Sequence, residues 1–442
     1  MHLGLRKKLA LEAYRLYRHN EIKAHPLTYF FWECTLRCNL HCQHCGSDCV
    51  ADAIPDMPRE DFMKVLDGLA PHIDPRNFAV VITGGEPLMR ADLEECGKEI
   101  KARGYPWGMV TNGLALTPER ITNLMNAGLR SLTISLDGLE ENHNLFRGNA
   151  HSFERAVRAI HMAASVKELT FDVMTCVNKR NLAELPRIHN LLVNLGVRRW
   201  RVSNVFPKGR AKDNPLFQLT NQEFRQVFDF IREVKKMNVI NVNYGCEGFL
   251  GSYEKDARNY PFFCRAGVNV SSVLCDGSIS ACPSLRGDYI QGNIYKDDLW
   301  DVWQNRYQVM RDRRWARIGE CRDCKYWRYC EGFLGSYEKV VRDQPFFCWA
   351  GVNIASVLCD GSISACPSLR GDYIQGNIYK DDLWDVWQNR YQVMRDRRWA
   401  RIGECRDCKY WRYCEGSSLH LRDEKTKELA YCHVKRLEDA GV

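Results

Sequence analysis

A chain of 442 residues with 45% apolar content is long enough for two or three domains and a sizeable core. Its net charge of +8 is modest for that length, no basic stripe is interleaved with aromatics, and no apolar run reaches bilayer length, so neither nucleic acid nor a transmembrane segment is expected. Cysteine is the outlier at 21 residues; with no secretory signal before the first motif, the expected compartment is the reducing cytoplasm, where clustered thiols bind metal rather than pair.

Residues 1–27 contain a basic amphipathic stretch, Leu5-Arg6-Lys7-Lys8-Leu9 through Tyr17-Arg18. It reads as a helix covering the first domain, with a membrane-surface helix as the alternative. From 28 to 240, β-rich runs at 29–33, 78–83, 108–111, 131–136, 170–177 and 199–205 alternate with helical patterns at 59–69, 93–103, 118–127, 153–164 and 182–195. A further helix is expected over 221–237. Six such units predict an α/β fold, a parallel sheet with crossover helices.

The strand ends carry the chemistry. The first is followed by Cys38-Asn39-Leu40-His41-Cys42-Gln43-His44-Cys45, a C-x3-C-x2-C loop. Thiolates this close suit three irons of a [4Fe–4S] cube and leave the fourth iron an open coordination site. A zinc knuckle is the alternative, since Cys34 and Cys49 lie nearby and thiolates also suit zinc. The second strand ends in Gly84-Gly85-Glu86-Pro87, where glycines let a ligand approach the backbone and the acid can meet an ammonium group. The third ends in Thr111-Asn112-Gly113, and the fourth in Ile134-Ser135-Leu136-Asp137-Gly138, followed by His143 and Arg147-Gly148. Loops at the carboxyl ends of parallel strands are where α/β barrels build their sites. Cys96 and Cys176 fall inside regular elements and read as buried, inert thiols; His143 reads as structural.

From Gly245-Cys246 onward the chain is cysteine- and tryptophan-rich and contains a tandem repeat, copy 1 at 246–329 and copy 2 beginning at 330. Residues 246–329 and 330–413 align at a period of 84 with seven mismatches, and 272–332 is identical to 356–416. No physical requirement explains such identity, which reads as a recent, engineered or wrongly assembled copy. Each copy carries Cys-x12-Gly-x4-Cys, as Cys264…Gly277…Cys282 and Cys348…Gly361…Cys366, with an Asp-Gly turn that predicts a hairpin. Each then carries Cys-x2-Cys-x5-Cys, as Cys321, Cys324, Cys330 and Cys405, Cys408, Cys414.

Jointly, the cysteine loop, the Gly-Gly-Glu-Pro turn and the two later strand ends resemble the radical S-adenosylmethionine (SAM) superfamily, over essentially the whole chain. His44 departs from the family, which more often has an aromatic ring there. The resemblance implies a partial (β/α)6 barrel over 28–240 and a [4Fe–4S] cluster on Cys38, Cys42 and Cys45. It implies SAM contacts from Gly84, Gly85 and Glu86 to the methionyl ammonium, from Thr111, Asn112, Ser135 and Asp137, and from Arg147 to the carboxylate. The implied reaction is reductive cleavage of SAM to a 5′-deoxyadenosyl radical that takes hydrogen from substrate, with a flavodoxin- or ferredoxin-like electron donor.

The later region looks like the SPASM extension of radical SAM peptide-modifying enzymes, a cysteine-rich α+β region that holds auxiliary [4Fe–4S] clusters. Here it stands in two tandem copies, the second over 330–432 with a tail to 442. The implied ligands are Cys246, Cys264, Cys275, Cys282, Cys321, Cys324, Cys330, Cys348, Cys366, Cys405, Cys408, Cys414 and Cys432. The family pattern continues Cys-x3-Cys, but Leu334 and Ser418 stand at those positions, so a ligand of the barrel-proximal auxiliary cluster is missing or supplied elsewhere. Cys246, Cys275 and Cys359 are the candidates. Zinc stays open here too, because Cys-x2-Cys also starts zinc ribbons. The implied substrate is a peptide or small protein, and the chain also looks like a SPASM subgroup associated with a small lipoprotein. A small-molecule radical SAM enzyme and a non-catalytic iron–sulfur or zinc interaction protein are the alternatives.

Overall fold

The computed structural model describes residues 5–49, 54–206, 208–212, 214–245, 248–260, 262–286, 289–317, 321–324, 326–332, 355–358, 360–365, 371–408, 411, 422–423, 425–429, 432 and 435. They form two compact units, 1–342 and 343–442.

In the first unit, α1 (Leu5–Ala24) leads into β1 (Tyr29–Glu33), and strands then alternate with helices: α2 (Arg59–Leu69), β2 (Ala79–Thr83), α3 (Leu93–Ala102), β3 (Trp107–Thr111), α4 (Pro118–Asn126), β4 (Leu129–Ser135), α5 (Glu140–Arg147), α6 (Ser152–Ser165), β5 (Thr170–Val177), α7 (Leu185–Asn194), β6 (Arg199–Asn204), α8 (Asn221–Met237) and β7 (Asn241–Tyr244). Local chemistry sets these boundaries. Thr117 Oγ1 accepts from Arg120 N–H at 3.1 Å ahead of α4, which opens on a proline. Thr220 and Glu223 exchange side-chain and backbone bonds in a capping box before α8.

β1 through β7 pair in sequence order, every neighbour parallel. The sheet is open, which bears out the partial barrel. The seventh strand goes beyond the six that the pattern predicts, because Asn241-Val242-Asn243-Tyr244 is short and half asparagine, a residue depleted in strands.

Copy 1 extends the same sheet rather than forming its own. β8 (Val270–Val273) lies parallel along the other side of β1, from Tyr29↔Val270 to Trp32↔Val273, and β9 (Ser278–Ser280) and β10 (Gly292–Asn293) follow antiparallel. Short helices α9 (Glu254–Ala257), α10 (Leu299–Asn305), α11 (Gln308–Arg311) and α12 (Trp327–Cys330) complete it. Trp303 Nε1 donates to His25 O at 3.2 Å, and Trp300 stacks on His72 with ring centres 4.6 Å apart. Arg18 on α1 donates to Tyr329 O at 2.6 Å, so the N-terminal helix packs on the protein as a cover. The core runs from the barrel into copy 1 without a break; it includes Trp32 and Phe62, stacked 4.2 Å apart, as well as Trp303 and Tyr307.

The second unit has its own antiparallel sheet of β11 (Ser356–Val357), β12 (Ser362–Ser364) and β13 (Ile374–Asn377), with α13 (Leu383–Asn389) and α14 (Gln392–Arg395). Its small core is Ile363, Ala365, Tyr373, Val386, Tyr391 and Met394. Among the described residues no helix is long and apolar enough to cross a membrane.

Candidate active site at the strand ends

The stem of the cysteine loop is stitched to the end of β2. Gly85 N–H donates to Thr35 O at 2.8 Å and Glu86 N–H to Arg37 O at 2.9 Å. A Cβ on Gly84 would stand 2.2 Å from Thr35 O, and one on Gly85 2.3 Å from Arg37 O. The close approach read from the glycines is therefore present, and the backbone they admit is that of the loop stem. From the other side, Arg210 N–H donates to Cys45 O at 3.0 Å, while its guanidinium donates to Cys42 O at 2.7 Å and Cys49 O at 3.0 Å. No motif pointed to Arg210; its role comes from the fold, which returns residues 208–211 beneath the loop.

Cys42 is buried, and Cys38 and Cys45 are partly exposed. Burial pushes the Cys38 thiol up to about 11 and raises Cys42 as well. Cys45 is lowered, chiefly because the neighbouring Cys49 thiol donates to it. Metal binding would displace the remaining thiol protons.

Glu86 is fully buried. Its Oε1 accepts from Thr111 Oγ1 at 2.6 Å and Leu88 N–H at 3.1 Å, and its Oε2 from Asn112 N–H at 2.7 Å. Burial raises its pKa above the ordinary carboxylate range, against these donors, which favour the ionised form. Asn112 Nδ2 donates to Asn39 Oδ1 at 2.8 Å, tying the third strand end to the cysteine loop. Ser135 closes β4, half-buried. Asp137 follows, paired with Arg147 and within 3.1 Å of His44 Nε2. Burial alone would raise Asp137, but Arg147 and His44 hold it well below the carboxylate range. His143 is structural, as expected: Nδ1 accepts from Asp137 N–H at 3.0 Å and Nε2 lies 3.1 Å from Ser152 Oγ.

Beside the loop, a cavity of about 340 Å³ opens among His44, Met174, Cys176, Ser203, Lys208 and Arg286. Barrel strand ends and copy 1 thus line one space. Cys96 is buried as expected, whereas Cys176 is partly exposed and faces this cavity. The buried His44 Nδ1 and Arg147 Nε have no protein partner.

In copy 1, Cys264 is buried next to Cys282, whose thiol burial pushes up to about 11. Cys321, Cys324 and Cys330 gather into a second group, with Cys330 raised first by burial and further by the other two. Cys275 sits at the end of β8, its N–H on Glu33 Oε1 at 3.2 Å and its Sγ donating to Pro55 O at 3.7 Å. In the second unit, Cys405 is buried and accepts from Arg422 Nη2 at 3.2 Å, and Cys408 and Cys432 are partly exposed. Cys246, Cys348, Cys359, Cys366 and Cys414 lie outside the described residues.

Comparison with known proteins decides between the open chemistries. Residues 32–192 match the radical SAM superfamily, and residues 264–325 and 348–409 each match SPASM, an iron–sulfur cluster-binding domain. The chain is a radical SAM enzyme with a duplicated SPASM segment. It is similar to an AdoMet-dependent heme synthase of Methanosarcina barkeri, at 27% identity over 68% of this chain and 89% of the relative. It is also similar to the mycofactocin maturase MftC of Mycobacterium tuberculosis, at 28% over 68% of this chain and 76% of that one. The fold resembles Streptococcus suis SuiB bound to its precursor peptide SuiA, with a TM-score of 0.57 and 17% identity over 72% of this chain and 75% of SuiB.

The cofactors of this class are a [4Fe–4S] cluster with SAM and auxiliary SPASM clusters. The residues of the radical SAM domain fit them. Three thiols on one loop form a soft, all-sulfur donor set, and the orphaned Nδ1 of His44, which lines the cavity, and Nε of Arg147, whose Nη1 reaches Cys42, leave polar atoms for a ligand.

Proposed function

We propose that this radical SAM enzyme modifies a peptide or small protein in the cytoplasm, receiving electrons from a flavodoxin- or ferredoxin-like donor. A [4Fe–4S] cluster and SAM, when bound, supply a 5′-deoxyadenosyl radical that removes hydrogen from the substrate. Cys38, Cys42 and Cys45 hold that cluster. Glu86 serves the methionyl ammonium through Oε2, which keeps a lone pair after accepting from Asn112. Thr111 and the Asn112 N–H hold the Glu86 carboxylate in place, and Asn112 also positions the loop through Asn39. Gly84 and Gly85 keep the stem against β2, while Ser135 and Asp137 present the end of β4. The Cys321, Cys324 and Cys330 group and the Cys264 and Cys282 pair are sites for auxiliary clusters.

The observation that carries the peptide reading is the shared cavity. Copy 1 contributes Pro283, Ser284 and Arg286 to the space beside the cysteine loop, so SPASM residues face whatever reacts there. The heme synthase relative supports a second reading, a small-molecule substrate. The test is the intact mass of any short peptide encoded by a flanking gene, made with and without the enzyme. A mass change that depends on Cys38, Cys42 and Cys45 supports the peptide reading. An unchanged peptide, with conversion of a heme precursor by the reconstituted enzyme, contradicts it.

A further inference from the structure

The end of α5 rests on the cysteine loop, and that contact aims one side chain at a sulfur. Gln43 N–H donates to Phe146 O at 2.8 Å, and Gln43 Nε2 to Leu145 O at 3.2 Å. Gly148, with φ +66°, ends the helix so close to the loop that a Cβ there would stand 3.1 Å from His41 O. Backbone contacts therefore fix the last turn of α5 against the loop, and Arg147 on that turn reaches Cys42. Its Nη1 donates to Cys42 Sγ at 3.7 Å and its Nη2 pairs with Asp137. Asp137 is held in turn, with Oδ1 accepting from Cys176 N–H at 2.9 Å and Oδ2 within 3.1 Å of His44 Nε2. Each Nη group thus makes one of these contacts, and Nε has no protein acceptor.

We propose that Arg147 sets the reduction potential of the iron–sulfur cluster carried by Cys42, with Asp137 and His44 as its positioning residues. The inference rests on the assignment of Cys38, Cys42 and Cys45 as cluster ligands. The couple is a one-electron reduction by an external reductant. A donor on a ligand sulfur and a buried cation beside it stabilise the more negative, reduced cluster and raise its potential.

The test is an EPR-monitored titration with dithionite of the anaerobically reconstituted full chain, with Arg147→Met, Arg147→Lys and the charge-neutral double variant Arg147→Met with Asp137→Asn. The double variant guards against misfolding from an unpaired buried carboxylate. A chain with Cys38, Cys42 and Cys45 all changed to Ala identifies which signal belongs to this loop. The loop signal should shift to lower potential in Arg147→Met, less so in Arg147→Lys, which keeps the charge, while the auxiliary signals and the iron content hold. An unchanged midpoint with normal iron content overturns the inference, and if SAM affinity falls at the same time, Arg147 binds the SAM carboxylate instead. Variants that lose the loop cluster altogether also overturn it, making Arg147 an assembly residue. A parent chain without a loop signal removes the ligand assignment first, and this inference with it.

Discussion

The two SPASM copies share 61 identical residues, 272–332 and 356–416, yet they occupy different surroundings. Their helix caps and turns are the same. Asp298 and Asp382 cap α10 and α13 with equal bonds of 2.8 Å. Tyr307 and Tyr391 each donate at 2.8 Å to the carbonyl of the matching serine, Ser280 or Ser364. Burial differs sharply. Val273 is 0% exposed and Val357 44%; Leu299 is 5% exposed and Leu383 42%; Trp384, the counterpart of the His72-stacked Trp300, is 68% exposed. Caps and turns follow from nearby sequence, whereas burial of a docking face depends on the presence of an edge to dock on. Copy 1 has β1 as its neighbour and adds to a ten-stranded sheet, while copy 2 forms a three-stranded one.

The largest expected effect separates the copies by stability. Trp303→Ala should cost about 3–5 kcal/mol and Leu299→Ala about 2–5 kcal/mol, because both are buried in the continuous core. Leu383→Ala should stay within about 0.5 kcal/mol, as at other exposed positions. Denaturant unfolding read by tryptophan fluorescence checks this; equal losses from Leu299→Ala and Leu383→Ala would break the comparison.

Acid should act on the first unit. Burial lowers His143 to about 3, so the native state leaves it neutral while the unfolded chain binds a proton below about 6.5. The unfolded state then holds more protons, and first-unit stability falls as pH drops from about 6.5 toward 3, by on the order of 1 kcal/mol per pH unit. Chemical denaturation at several pH values should show this slope, and His143→Gln should flatten it.

The smallest effect should be the same in both copies. Asp298→Ala and Asp382→Ala each remove a cap worth about 1 kcal/mol, and amide hydrogen exchange across α10 and α13 should report matching losses. Unequal losses would mean that surroundings alter even the local structure.

Much of this was legible in the sequence. Six strands and their crossover helices followed from hydrophobic period, and the strand-end motifs converge because parallel strands bring their carboxyl ends together. What the sequence withheld depends on contacts between distant segments. Arg210 beneath the loop, the Arg147 bond to Cys42 and the exposure of Cys176 to the cavity carry no local signal. Nor does one sequence say that its two copies will be buried differently, since β1 offers a single free side.

The central claim is that the first unit, with copy 1 alone, contains the working site. The direct measurement is 5′-deoxyadenosine released from SAM by a chain lacking residues 330–413, which rejoins Tyr329 to Cys414 as Tyr329 joins Cys330 now. A chain with Cys38, Cys42 and Cys45 changed to Ala serves as the blank. Release should continue, with iron content lower by about one four-iron cluster. A folded deletion chain that releases no more than the blank would contradict it.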